Sequence, residues 1–185
     1  MEKRAVPNWN EYFMKMAEVS KTKSKDRSTQ VGAVVVGDGN SVLSIGYNGF
    51  PRGVDDDVES RHERPAKYLY SEHAERNAIY SAARNGVRLL GSTMYVTCGG
   101  VPCSDCSRAI IQAGISKVIV MEGKFEGKGS WDESCAAGKE MLEEAGVVVE
   151  YLGRDYTSLS NVPSSESPSL GKYFRGPCPS TSSYG

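Results

Sequence analysis

Apolar side chains recur along the chain at two different spacings, and the spacing changes where the predicted elements change. Between Trp9 and Ser20, the side chains of Tyr12, Phe13, Met16, Ala17 and Val19 fall near one side at helical spacing. That predicts an amphipathic helix with its aromatics in the core. Lys21 to Ser28 is polar and basic, with Lys21, Lys23, Lys25, Asp26 and Arg27. Such a run is ordinarily a solvated loop. Gln30 to Val36 is β-branched and apolar, which predicts a buried strand. Gly37-Asp38-Gly39-Asn40 carries turn chemistry, and Ser41 to Tyr47 reads as a second strand, so the pair predicts an antiparallel hairpin. Asn48-Gly49-Phe50-Pro51 ends it.

Residues 52–70 are charged and irregular, with Asp55-Asp56-Asp57 and Arg61-His62-Glu63-Arg64, and read as a surface excursion in which His62 faces solvent. Beyond it the elements alternate. Glu72 to Asn85 predicts a helix, Thr93 to Cys98 a strand, Cys103 to Ala113 a helix, Lys117 to Met121 a strand, Trp131 to Ala145 a helix and Val147 to Tyr151 a fifth strand. Strands alternating with helices imply a parallel portion of an α/β sheet. Gly114 and Gly146 fall where helix ends favour glycine. From about residue 155 the chain turns rich in Ser and Pro and poor in apolar side chains. This predicts one domain over residues 1–154 and a flexible tail over 155–185.

Composition narrows the function. The net charge of -1 supplies no general basic excess, which argues against nucleic acid or an anionic membrane as partner. No apolar run approaches ~20 residues, so no membrane span is expected. Met-Glu-Lys-Arg-Ala-Val-Pro lacks the apolar core of a signal peptide. Five cysteines are an odd count, two of them at metal-ligand spacing, which points to a reducing, cytoplasmic setting and against a disulfide framework. Cys135 is expected to pack in its helix and Cys178 to be an incidental thiol of the tail.

Two short stretches carry the chemistry. His73-Ala74-Glu75 and Pro102-Cys103-Ser104-Asp105-Cys106 together read H-x-E…P-C-x-x-C, the signature of zinc deaminases. Zinc takes thiolates and imidazole, and a catalytic zinc keeps one of four positions open. One His and two Cys leave that position. The metal makes hydroxide available near neutral pH. Glu75, two residues from His73, can carry protons from the water to the ring nitrogen and to the departing ammonia. Cys103 and Cys106 are three apart and share a helix face. Pro102 suits a helix start, and thiolates there meet the positive end of the helix dipole. The plainer readings are a redox C-x-x-C pair or a four-coordinate structural zinc completed by Cys98. Neither requires Glu75.

Further residues extend the match. With Ser28-Thr29-Gln30-Val31-Gly32-Ala33, Gly46-Tyr47-Asn48-Gly49-Phe50-Pro51, Asp56-Asp57, His73-Ala74-Glu75-Arg76-Asn77-Ala78-Ile79, Met94-Tyr95-Val96 and Ile110-Ile111-Gln112-Ala113-Gly114-Ile115, the chain resembles the deoxycytidylate (dCMP) deaminases of the cytidine deaminase superfamily from about Trp9 to Tyr151. The resemblance implies a three-layer α/β/α sandwich with a five-stranded mixed sheet. It implies Zn2+ held by His73, Cys103 and Cys106, with Glu75 as proton shuttle. It implies hydrolysis of dCMP to dUMP for thymidylate synthesis. Asn48 is the expected sugar contact, the Val101 carbonyl the acceptor for the cytosine amino group, and Lys23, Lys25 and Arg27 the 5′-phosphate contacts. Many relatives are homo-oligomers, hexamers regulated by dCTP and dTTP. Two departures stand out: Thr97-Cys98-Gly99-Gly100-Val101 is about two residues longer than in many relatives, and Arg27 stands where many have Pro. The longer stretch leaves open the tolerance of a 5-substituted cytosine. Alternatives are a deaminase of free cytidine, of a pterin- or riboflavin-pathway base, or of tRNA or single-stranded DNA, and a non-catalytic zinc module.

Overall fold

The structure, a computed structural model, describes residues 5–123 and 130–153. Five strands form one sheet in the order β2-β1-β3-β4-β5. β1 (Gly32–Gly37) pairs antiparallel with β2 (Ser41–Tyr47) on one side and with β3 (Thr93–Val96) on the other. β4 (Lys117–Met121) runs parallel to β3, and β5 (Val148–Leu152) parallel to β4. The sheet is therefore mixed, with its parallel half where strands and helices alternate in sequence. The predicted tail, residues 155–185, lies outside the described residues.

Alternation along β1 splits the core in two. Ala33 and Val35 face α3 (Ala74–Arg84), α4 (Ser104–Gln112) and α5 (Ser130–Glu144) through Ala74, Ala78, Ala82, Ile110 and Leu142. Val34 and Val36 face α1 (Trp9–Lys21) through Phe13, Met14 and Ala17. This is the expected three-layer sandwich. The buried stripe of α1 differs from the sequence expectation. Phe13, Met14, Ala17 and Ser20 are buried, whereas Tyr12 and Val19 are 45% and 69% exposed. Residues 13, 17 and 20 sit four and three apart and form the true stripe; Tyr12 and Val19 lie one position off it, on the rim. Asn8 caps α1 and exchanges hydrogen bonds with Glu11, which fixes where the helix starts.

Close approach decides how β2 meets α3. A Cβ on Gly46 would lie 2.2 Å from the Ala74 carbonyl oxygen and 2.4 Å from the Ala78 nitrogen. Only glycine lets the strand lie against the first turn of α3. Ser44 Oγ donates to the Ala78 carbonyl at 2.6 Å and locks the same contact.

The excursion before α3 is more ordered than its sequence suggests. It contains α2 (Lys67–Tyr70) and a short 3₁₀ turn, Glu59–Arg61. His62 does not face solvent. It is half-buried, its ring stacks on Phe50 at 4.9 Å, and Nε2 lies 2.7 Å from the Asp56 carbonyl oxygen. The aromatic neighbour, outside any period the sequence offers, draws it in.

Candidate metal centre

Two helix starts converge on one point. His73 is the N-cap of α3 and Cys103 the N-cap of α4; Cys106 lies one turn further on. His73 Nδ1 is 3.5 Å from Cys103 Sγ and 3.4 Å from Cys106 Sγ, and the three ligand atoms lie within 4.8 Å of one another. In a tetrahedral zinc site, with Zn–S near 2.3 Å and Zn–N near 2.0–2.1 Å, nitrogen and sulfur sit about 3.5 Å apart. Both nitrogen–sulfur distances therefore fit the metal. Cys98 is not part of the group. Its Sγ contacts the Gly100 carbonyl at 3.4 Å, and burial pushes its thiol well above the usual range. Among the described residues no fourth ligand joins them, and three ligands are the donor set of a catalytic rather than a closed structural site.

The titration of these groups follows from their contacts. Cys103 is held down at about 4, first by the hydrogen bond from Cys106 and then, against burial, by His73. Cys106 is pushed above the usual thiol range, first by donating that hydrogen bond and then by burial, which favours its protonated form. Its proton must leave when metal binds. The bond to Cys103 raises His73, against the desolvation that lowers it. Glu75, in the first turn of α3, is buried, and burial raises its carboxyl while the His73 charge pulls it down. A carboxyl raised toward neutrality beside the ligands is suited to pass protons both ways.

α5 braces these starts. Ser134 Oγ accepts from the Ser104 backbone N–H at 3.1 Å and bonds Ser104 Oγ at 2.9 Å. A Cβ on Gly138 would lie 2.4 Å from the Pro102 carbonyl oxygen. Arg76 pairs with Glu72 and reaches Asp105 at 3.8 Å, linking the two helix starts from the other side.

The remaining sequence-predicted residues lie in two places. The Val101 carbonyl accepts no hydrogen bond among the described residues, and its side chain packs partly against the core. Asn48 is buried, and its amide is engaged at both ends. Oδ1 accepts from the Val31 N–H at 2.7 Å and Nδ2 donates to the Thr29 carbonyl at 2.8 Å. Lys23, Lys25 and Arg27 line a cleft of about 190 Å³ with Tyr47, Phe50 and His62. Lys25 is paired with Asp56 at 2.7 Å and Arg27 with Glu59, whereas Lys23 has no ion pair among the described residues. Sequence reasoning overlooked what holds this loop. Asp26 and Lys67 form a nearly buried ion pair at 2.9 Å, with side chains 8% and 11% exposed. It also overlooked Trp131, whose ring lies 5.4 Å from that of His73.

Comparison with known proteins agrees with this geometry. Residues 7–122 match the family model for the cytidine and deoxycytidylate deaminase zinc-binding region. The chain is 42% identical over 144 residues to a human (Homo sapiens) protein named deoxycytidylate deaminase, covering 75% of this chain and 76% of that one. It is 41% identical over 150 residues to a deaminase of Aliivibrio fischeri, covering 81% and 97%. Its fold matches the crystal structure of dCMP deaminase from the cyanophage S-TIM5 in complex with dCMP and dUMP, with TM-score 0.63 and 31% identity over 80% of this chain and all of that one.

Proposed function

The chain belongs to the cytidine and deoxycytidylate deaminase family, and on that premise we propose that it hydrolyses dCMP to dUMP and ammonia with a zinc ion held by His73, Cys103 and Cys106. The observation that carries the reading is the convergence of His73 Nδ1 with both sulfurs beside a buried Glu75. When bound, zinc supplies Lewis acidity that makes hydroxide available near neutral pH. Glu75 does the proton work. Its carboxylate takes a proton from the attacking water and passes it to N3 of the cytosine ring. The carboxylate then takes the second proton from the new hydroxyl on C4 and hands it to the amino nitrogen, so that ammonia leaves as the C4–N bond breaks and the C4 carbonyl forms. Water provides the oxygen that becomes O4 of dUMP, so the reaction balances without a redox partner.

Substrate contacts follow from what remains available. The Val101 carbonyl, which accepts no hydrogen bond among the described residues, is suited to accept from the cytosine amino group. Asn48 retains one Nδ2 hydrogen and one Oδ1 lone pair beyond its backbone bonds, enough for a sugar hydroxyl. Its first task is to staple residues 29–31. The cationic cleft suits a phosphate, with Lys23 the cation that need not break an ion pair first. The same reading makes the protein a homo-oligomer of the cytoplasm with dCTP and dTTP as effectors. Exposed apolar side chains such as Leu69, at 85%, support an oligomer. Among the described residues no helix is long and apolar enough to cross a membrane.

Ammonia release from the zinc-loaded protein, scored over dCMP, deoxycytidine, cytidine and oligonucleotides, tests the proposal. dCMP should be preferred. Lys23→Glu should cost about ten- to a hundredfold in kcat/KM on dCMP, the worth of one charge-assisted bond, and far less on deoxycytidine. Equal wild-type rates on dCMP and deoxycytidine would refute a nucleotide deaminase.

A further inference from the structure

We infer that Trp131 is a positioning residue for the metal ligand His73, doing with an indole ring what a hydrogen-bond acceptor does at most histidine-ligated metals. The inference rests on the zinc reading above. A ligating histidine ordinarily donates its other ring N–H to a carboxylate, a carbonyl or water, and that bond fixes the ring's orientation. His73 turns Nδ1 to the two sulfurs, which leaves Nε2 for this role. Among the described residues no protein group hydrogen-bonds Nε2. The ring is held from its side instead: the Trp131 indole lies 5.4 Å away, centroid to centroid, at an interplanar angle of 34°.

The indole is well placed to act as a brace because it is itself fixed in two ways. Trp131, Ser134 and Gly138 are spaced three and four apart, so they share one face of α5. Ser134 is bonded to Ser104, and Gly138 lies against the Pro102 carbonyl, so this face meets the turn that carries Cys103. The helix that sets the thiolates thus also sets the indole against the imidazole. Tyr68 also meets Trp131 edge-on, with ring centroids 6.3 Å apart and an angle of 61°. Its neighbour Lys67 anchors α2 to Asp26. The chemistry favours the ligated state. An imidazole bonded to a dication is electron-poor, and tryptophan offers the most favourable π face for a positively charged partner. A ring contact that strengthens on metallation biases His73 toward its ligating orientation.

Three substitutions separate this role from simple packing. Trp131→Phe keeps a ring, Trp131→Leu keeps apolar bulk without one, and Trp131→Ala keeps neither. Zinc affinity is measured by chelator competition, ligand geometry by the absorption bands of the Co2+-substituted protein, and the fold by far-UV circular dichroism and melting of the metal-free form. The Leu and Ala variants should bind zinc about 10–100-fold more weakly, the range found when outer partners of a ligating histidine are removed. Their Co2+ bands should shift, and Trp131→Phe should recover most of both properties. If Trp131→Leu binds zinc as tightly as wild type, the inference is overturned. It is equally overturned if all three variants weaken zinc binding only in proportion to a loss of metal-free stability. A wild-type protein that binds no zinc would sink the metal reading itself, a different failure.

Discussion

Replacing Asp26 by Asn should cost about 2 kcal/mol of stability at neutral pH, and the cost should fade in acid. The structure supplies both the magnitude and the sign. Lys67 Nζ lies 3.0 and 2.9 Å from the two Asp26 oxygens and 2.7 Å from Ser28 Oγ. Asp26 Oδ1 also accepts from the Ser28 and Thr29 backbone N–H groups, at 2.9 and 3.1 Å. Burial alone would raise this carboxyl. The Lys67 bond and the backbone donors outweigh it and bring Asp26 down from 3.8 to about 2. At 1.36 kcal/mol per pKa unit that difference is worth about 2 kcal/mol. Because the folded value lies below the unfolded one, the contribution is fully present above pH ~4 and is lost as pH falls through about 2. Asn keeps the shape but leaves Lys67 without its counter-charge. The assay is urea unfolding of wild type, Asp26→Asn, Lys67→Met and the double variant at several pH values between 7 and 2. The gap between wild type and Asp26→Asn should narrow across the acid end of that range. The double variant should be less destabilised than the two single effects combined, because removing both partners leaves no lone buried charge. A loss at pH 7 below about 0.5 kcal/mol, the level of an ordinary surface change, would refute the reasoning. So would a gap that stays constant with pH. The pair also carries a kinetic consequence: Asp26→Asn should raise KM for dCMP more than for deoxycytidine, since it loosens the loop that bears Lys23, Lys25 and Arg27.

Glu75→Gln should retain zinc and fold but lose at least about 10²–10⁴-fold in kcat, since two proton transfers depend on one carboxylate; turnover near wild type would contradict the mechanism. Cys103→Ala and Cys106→Ala should each lose the metal, measured by elemental analysis, and melt at lower temperature than the zinc-loaded wild type, because metal binding and folding are linked. Gly138→Ala gains roughly 1 kcal/mol of helix propensity. Its new methyl would meet the Pro102 carbonyl, and such overpacking costs roughly 1–3 kcal/mol, so thermal unfolding should show a net loss together with weaker zinc binding.

The parts of this protein that were legible in sequence are those whose cause is local. Helix and strand periods returned all five strands, and the three-layer order was implied by the family resemblance; the structure adds that Ala33 and Val35 face one core and Val34 and Val36 the other. The metal centre was legible for a similar reason: capping geometry at His73 and Cys103 is set within a few residues, and the signature records both. What escaped was set by partners far along the chain. Asp26 reads as one charge among cations until Lys67, 41 residues on, comes to meet it. His62 reads as solvent-facing until Phe50 stacks on it. Tyr12 and Val19 read as core because a helical stripe can be drawn one position too wide. A signal for α5 did exist. Gly138 sits inside a predicted helix, where glycine is disfavoured, and such a glycine marks a close approach.

The basic loop proposed above to hold the 5′-phosphate combines charge and order. Three cations in one short loop would repel one another and stay mobile if nothing opposed them. Here Asp26 is spent inward on Lys67, which fixes the backbone, while Lys25 and Arg27 rest on Asp56 and Glu59 at the surface. The two kinds of pair differ in what they resist. The Asp26 pair is shielded from water and is costly to break. The surface pairs are solvated, screened by salt and worth little, so a dianion can displace them. On the proposed function, a phosphate entering beside Lys23, which has no ion pair among the described residues, can recruit Lys25 and Arg27 without disturbing the pair that sets the loop's shape. Rigidity and availability therefore come from different carboxylates, and only the inward one links the loop, through Lys67 and Tyr68, toward Trp131 and the metal ligand.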